Sequence, residues 1–145
     1  MKKRLVVLSS LLLPAALLVA CSGSTSSNGP LEITVQGSGI SYKPAMIEVM
    51  AGQPVKITFQ NMDTVDHDLT IMKFPMEMMG ATQEPIAGHD MGGMTEVPEF
   101  HMAALMNQTS VLDFTPTKPG TYEFFCTVAG HKAAGMVGTL VVKAP

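Results

Sequence analysis

Thiols are scarce in this chain, with two cysteines among 145 residues. The first, Cys21, stands at the end of an N-terminal leader. That leaves Cys126 as the single thiol of the folded part and excludes an internal disulfide there. An unpaired cysteine in an exported protein is either a buried packing residue or a ligand, and the count alone leaves both open. Basic residues are few as well. Nine Lys and Arg face 12 Asp and Glu, and three of the nine fall at Lys2, Lys3 and Arg4. Downstream of residue 20 the balance is 6 against 12, a net −6. With no basic cluster, nucleic acid is not an expected partner. Long apolar runs are also missing. The run over residues 5–20, broken by Ser9, Ser10 and Pro14, is too short and too closely followed by polar residues to predict a membrane span.

What remains is enough chain for one domain with a proper core. The charged start, the apolar run and the small residues ending at Ala20 predict a secretory signal peptide over residues 1–20. A cysteine placed directly after Ala20 resembles the lipobox of bacterial lipoproteins. That resemblance implies lipid attachment at Cys21 and a protein held on a membrane outside the cytoplasm. Residues 22–30 are Ser, Gly, Thr, Asn and Pro and have nothing to bury, so 21–30 reads as a lipid-anchored flexible linker before a domain over 31–145.

Within that domain the pattern is strand-like. Leu31, Ile33 and Val35 alternate with Glu32, Thr34 and Gln36, giving one buried and one wet face. Further strands are expected over 46–50, 55–59, 67–72, 111–115, 121–126 and 137–143, with Gly and Pro turns between them. About seven short strands so punctuated predict an all-β, antiparallel sandwich or barrel. The turn at Pro119-Gly120 places Tyr122 to hydrogen-bond back across a corner. Residues 73–108 do not fit this rhythm and read as a Met-rich insertion. Its first half is expected to be irregular around Gly80, Gly88, Gly92 and Gly93. Its second half, with Pro98 followed by good helix formers to Met106, is expected to hold a short helix, so the flap is partly helical.

The chemistry concentrates in residues 126–136, where Cys126, His131 and Met136 follow one another at steps of five between two expected strands. One loop leaving and re-entering a sheet aims all three at a point. Soft sulfur with imidazole suits copper, and two His, one Cys and a weak Met describe an electron-transfer site. The loop supplies one His. His67 opens an expected strand after a polar stretch, at a strand end like the loop itself, and completes the set His67, Cys126, His131 and Met136.

These residues resemble the cupredoxins, the small blue type 1 copper proteins, and among them the azurin- and auracyanin-like members. The four-residue spacings from Cys126 to His131 and from His131 to Met136 match, as do the flanks Pro119-Gly120-Thr121-Tyr122-Glu123-Phe124-Phe125 and Gly135-Met136-Val137-Gly138-Thr139-Leu140. Upstream, residues 49–55 and 61–67 resemble the strand region and first His of the family. The resemblance implies an all-β, Greek-key β-sandwich of about seven to eight strands and one type 1 copper held by the quartet. The chain departs from the pattern at Ala129, where related loops often carry Pro, and at Asp68, where Asn is common. That Asn ties the strand to the Cys loop, a role in which the Asp68 carboxylate can still accept from backbone N–H groups.

A membrane-tethered, monomeric single-electron carrier is therefore expected, working between extracytoplasmic redox partners that dock near His131. Small residues at 129, 130 and 133–135 leave a flat surface for close approach there. The alternative is copper trafficking or resistance through the insertion, where His89, Met91, Met94 and His101 are candidates for a secondary copper site. The resemblance to a family whose members carry a helical flap in this connection favours instead a flap whose methionines only fill gaps against the sandwich. No enzyme is expected, because His89 and His101 are too few for a second histidine-rich catalytic centre.

Overall fold

The computed structural model describes residues 29–79, His89, Met91 and residues 93–145. The expected leader, most of the expected linker including Cys21, and the glycines at 80, 88 and 92 lie outside the described residues. Ten strands follow in order: β1 (Leu31–Ser38), β2 (Ser41–Lys43), β3 (Met46–Met50), β4 (Val55–Asn61), β5 (His67–Ile71), β6 (Met76–Met78), β7 (Phe100–Ala104), β8 (Thr109–Pro116), β9 (Gly120–Phe125) and β10 (Val137–Lys143). They form two five-stranded sheets, ordered β2-β1-β4-β8-β6 and β3-β10-β9-β5-β7.

The alternation seen in sequence is what builds the sandwich. Val55, Ile57, Phe59 and Asn61 of β4 all point inward, as do Ser110, Leu112, Phe114 and Pro116 of β8. Facing side chains of the two sheets close one apolar interior, with Phe59, Phe74, Phe100, Phe114 and Phe124 among its largest fully buried members. Phe74 meets Phe100, Phe114 and Tyr122 edge to face at centroid distances of 5.8, 5.6 and 5.0 Å, a geometry that adds to their burial. Tyr122 also donates its hydroxyl to the Lys118 carbonyl at 2.9 Å, the expected bond across the corner.

Two expectations are corrected. The sheets are mixed rather than antiparallel throughout: β1 runs parallel to β4, and β3 parallel to β10. The flap also holds no helix among the described residues. Residues 100–104 form β7 instead, paired antiparallel with β5 in the register His67↔Ala104, Leu69↔Met102 and Ile71↔Phe100. Pairing with β5 and burial of Phe100 and Met102 override the local helix propensity of Met, Ala and Leu.

The register brings several strand ends together. Gly37 of β1 lies beside Asn61 of β4, His67 beside Ala104, and Phe125 beside Val137. Asn61 then joins the two sheets at this end, donating from Nδ2 to the carbonyls of Val65, Ala104 and Leu105.

Candidate metal centre

His67 is the first residue of β5 and points into the sandwich, wholly buried. The connection that delivers it, residues 62–66, is held by backbone and side-chain bonds. Met62 N–H donates to the Gly37 carbonyl, Asp63 N–H to Asn61 Oδ1, and Asn107 N–H to the Asp63 carbonyl. Cys126 follows β9 and is also wholly buried. From there the chain folds on itself. His131 N–H donates to Val128, Ala134 N–H to Gly130, Gly135 N–H to Lys132, Met136 N–H to His131, and Cys126 N–H to Met136, all between 2.9 and 3.2 Å. Gly130 and Gly135 take φ values of +85° and +103°, which favour glycine. The loop thus has its own bracing on both sides of Ala129.

These elements bring the four residues to one place. Cys126 Sγ lies 3.9 Å from His67 Nδ1 and 3.4 Å from His131 Nδ1. A cation bonding nitrogen at about 2.0 Å and thiolate at about 2.3 Å, with ligands at trigonal angles, separates N from S by about 3.7 Å. The two observed distances bracket that value. Met136 is fully buried, and its methyl lies beside Gly37, where a Cβ would meet it at an ordinary 3.5 Å but would fall 2.9 Å from Phe59 Cζ, so the glycine makes room for the Phe59 ring. Among the described residues, His67, Cys126 and His131 place their ligand atoms within 4.8 Å of one another.

The electrostatics favour a bound cation. Burial, and then the nearby Asp68 carboxylate, push the Cys126 thiol up to about 11. A thiolate at neutral pH therefore has to be drawn out by positive charge at the sulfur. Burial holds His67 below its ordinary value, against the opposing influence of Asp63, and so keeps a neutral imidazole ready to ligate. Asp63 Oδ2 sits 3.5 Å from His67 Nε2, on the far side of the ring from the sulfur, where a carboxylate sets the ring's orientation.

Asp68 is buried on the opposite face of β5. Its Oδ1 accepts from Thr127 N–H at 2.9 Å and from the Thr70 hydroxyl at 3.0 Å, and its Oδ2 from the Thr127 hydroxyl. Burial pushes this carboxyl up, but the bonds from His89 and Thr127 outweigh it and hold the pKa below the ordinary carboxylate value. Of the four insertion residues, His89 and His101 meet at Asp68, 2.8 and 4.0 Å from Oδ2. Met94 lies elsewhere, lining a shallow groove with Phe125 and residues 126–130 and 132–133, and Met91 accepts the Met94 N–H in a turn. Sequence reading missed Asp63, Thr127 and Asn61 as supports. Asn61 and Asp63 carried a usable signal, since both lie in the polar stretch before the first His.

Comparison with known proteins points the same way. Residues 30–143 match the model for copper binding proteins of the plastocyanin/azurin family. The chain is 30% identical over 157 aligned positions to auracyanin-A of Chloroflexus aurantiacus, covering 96% of each. It is 30% identical over 109 positions to the copper-resistant cuproprotein CopI of Rubrivivax gelatinosus, covering 75% of this chain and 64% of that one. The solved structure of auracyanin A from C. aurantiacus, described as a "blue" copper protein, superposes with a TM-score of 0.57 at 26% identity, covering 79% of this chain and 100% of that one. The chain belongs to the plastocyanin/azurin family of copper-binding proteins, and copper is its cofactor.

Proposed function

We propose that this protein carries single electrons between redox partners outside the cytoplasm, with His67, Cys126, His131 and Met136 as its copper ligands. The observation that carries the reading is the approach of Cys126 Sγ to two imidazole Nδ1 atoms, at 3.4 and 3.9 Å, with a buried Met136 whose backbone bonds to Cys126 and His131. Copper bound there supplies a one-electron couple between Cu(I) and Cu(II). The chain's part is to hold the donors still. Three ligands sit on one self-bonded loop and the fourth on a strand pinned by Asn61 and Asp68, so ligand positions change little between oxidation states.

His131 is half-buried and surrounded by exposed Ala129, Gly130, Ala133, Ala134 and Gly135. Lys132 interrupts this patch but folds back over the Phe125 ring at 3.6 Å and pairs with Glu123 at 2.9 Å. Ile40, Met62, Val65 and Met106 add exposed apolar side chains on loops at the same end. Brief docking over a small, nearly uncharged area suits a carrier that must also release its partner. Lipid attachment at Cys21 would keep the domain, a monomer, on a membrane surface.

The visible spectrum of the copper-loaded, oxidised protein tests the reading. Intense thiolate-to-copper charge transfer, lost in Cys126→Ser, supports it; a colourless protein sinks it. A second reading, copper handling, draws on the similarity to a copper-resistant cuproprotein and on the separate meeting of His89 and His101. Additional Cu(I) bound per chain, and lost on deleting residues 76–94, would favour it over a simple carrier.

A further inference from the structure

We infer that Asp68, His89 and His101 form a second metal site, distinct from the Cys126 centre and built for a divalent cation of the copper and zinc type. The site is made by sheet geometry. Thr70 and His101 are directly opposed in the β5–β7 register, and Asp68 is opposed to Ala103. Asp68 and His101 are therefore diagonal neighbours on the face of the sheet turned away from the core, within reach of each other. His89, from the insertion, covers that face.

The donor set is two imidazoles and one carboxylate. Their ligand atoms lie within 4.8 Å of one another, with His89 Nε2 at 2.8 Å and His101 Nε2 at 4.0 Å from Asp68 Oδ2. Ligands about 2.0–2.1 Å from a tetrahedral cation stand about 3.3 Å apart. One distance has to open and the other to close by little more than half an ångström, which small side-chain rotations supply. The side chains are 0%, 2% and 18% exposed for Asp68, His89 and His101.

Two observations point to a cation rather than to packing. Among the described residues, the ion-pair partners of the buried Asp68 are imidazoles, with no Lys or Arg. A buried carboxylate without a fixed positive partner is costly. His101 Nε2, facing Oδ2, is buried and makes no hydrogen bond. A divalent ion satisfies both at once and takes the place of the proton that His89 shares with Asp68. Neutral imidazole with carboxylate suits both Zn(II) and Cu(II), and Cu(II) is the tighter of the two at a given set of donors.

The site also touches the first centre. Asp68 follows His67 in sequence and receives both Thr127 donors beside Cys126. A cation here neutralises a charge next to the blue copper and raises its midpoint potential.

The test uses full-length protein with one copper already bound and its blue absorption saturated. Zn(II) is then titrated by calorimetry. One further Zn(II) per chain is expected, with affinity at least tenfold weaker in His89→Ala and in His101→Ala while the blue absorption persists. His89→Ala changes a residue outside the strands, so it carries the test if the β7 variant fails to fold. Absence of a second equivalent, or unchanged binding in His89→Ala, overturns the site. A midpoint potential that stays fixed as Zn(II) saturates overturns the coupling.

Discussion

Thr127 donates twice to Asp68, its backbone N–H to Oδ1 at 2.9 Å and its hydroxyl to Oδ2. Each residue directly follows a proposed copper ligand, Cys126 or His67. The pair therefore sets the spacing between the strand that carries one imidazole and the loop that carries the thiolate. It also places a buried negative charge beside the site, where an uncharged amide would serve the same geometry.

Asp68→Asn should separate those two roles. The amide oxygen can still accept the Thr127 N–H, so the blue absorption should survive. Removing the charge lessens the preference for Cu(II), and the midpoint potential should rise. At an effective dielectric of about 20 a neighbouring unit charge is worth on the order of 2–4 kcal/mol, so a shift on the order of 100 mV is expected for one electron. The hydrogen bonds that Asp68 accepts from Thr70 and Thr127 reduce that figure. Spectroelectrochemistry reads the change directly, and an unchanged potential would show that the Asp68 charge is already cancelled.

Met136→Leu keeps the volume of a fully buried side chain and removes its sulfur. The cost to folding should stay under about 1.5 kcal/mol. The Cys126 thiolate is untouched, so the protein should remain blue. An axial electron donor gives way to a hydrocarbon, so the more highly charged Cu(II) loses stabilisation and the potential should rise. If colour and potential both match the wild type, Met136 is only packing.

The strands and the loop were readable from the chain because they are local. Alternation in residues 55–59 or 111–115 needs only a two-residue period, and Cys126, His131 and Met136 fall on one short stretch. His67 was readable because it sits at the start of an expected strand. Strands β2 and β6, at three residues each, are too short to show a period. Strand β7 was hidden because its Met-Ala-Ala-Leu composition favours helix, and only the edge of β5 makes it extend. Its loss also hid Asp68 from the His89 and His101 pair. Composition had grouped those histidines with Met91 and Met94, whereas the β5–β7 register, a long-range property, assigns His101 to Asp68 and the fold puts Met94 against the copper loop.

Gly138→Ala should destabilise the domain without touching a ligand. A Cβ at this position in β10 would fall 2.2 Å from Phe124 Cζ and 2.8 Å from the Ala45 carbonyl oxygen. Phe124 is fully buried and the other contact is backbone, so neither yields cheaply. Overpacking of this kind costs about 1–3 kcal/mol, several degrees in Tm for a domain of this size. Thermal unfolding of the copper-free protein measures it; a Tm within a degree of wild type would mean that the Phe124 ring can turn aside.

Asn61→Ala tests how the copper end is assembled before any metal arrives. The Asn61 amide divides its two hydrogens among the carbonyls of Val65, Ala104 and Leu105 at 2.7, 2.9 and 3.1 Å, and its oxygen accepts the Asp63 N–H at 2.9 Å. One side chain therefore joins β4 in one sheet to the end of β7 in the other and to the turn that leads into His67. Alanine leaves partly buried carbonyls without donors, at about 1–3 kcal/mol for each group left unmade, and a total near 2–4 kcal/mol is expected because water reaches some of them. Asn61→Asp should be worse, since it turns a carboxylate toward the same carbonyls. Urea unfolding of the copper-free protein gives both values. The order Asn, then Ala, then Asp in falling stability supports the bridge, and Asp equal to Asn would show that the loop stands without it.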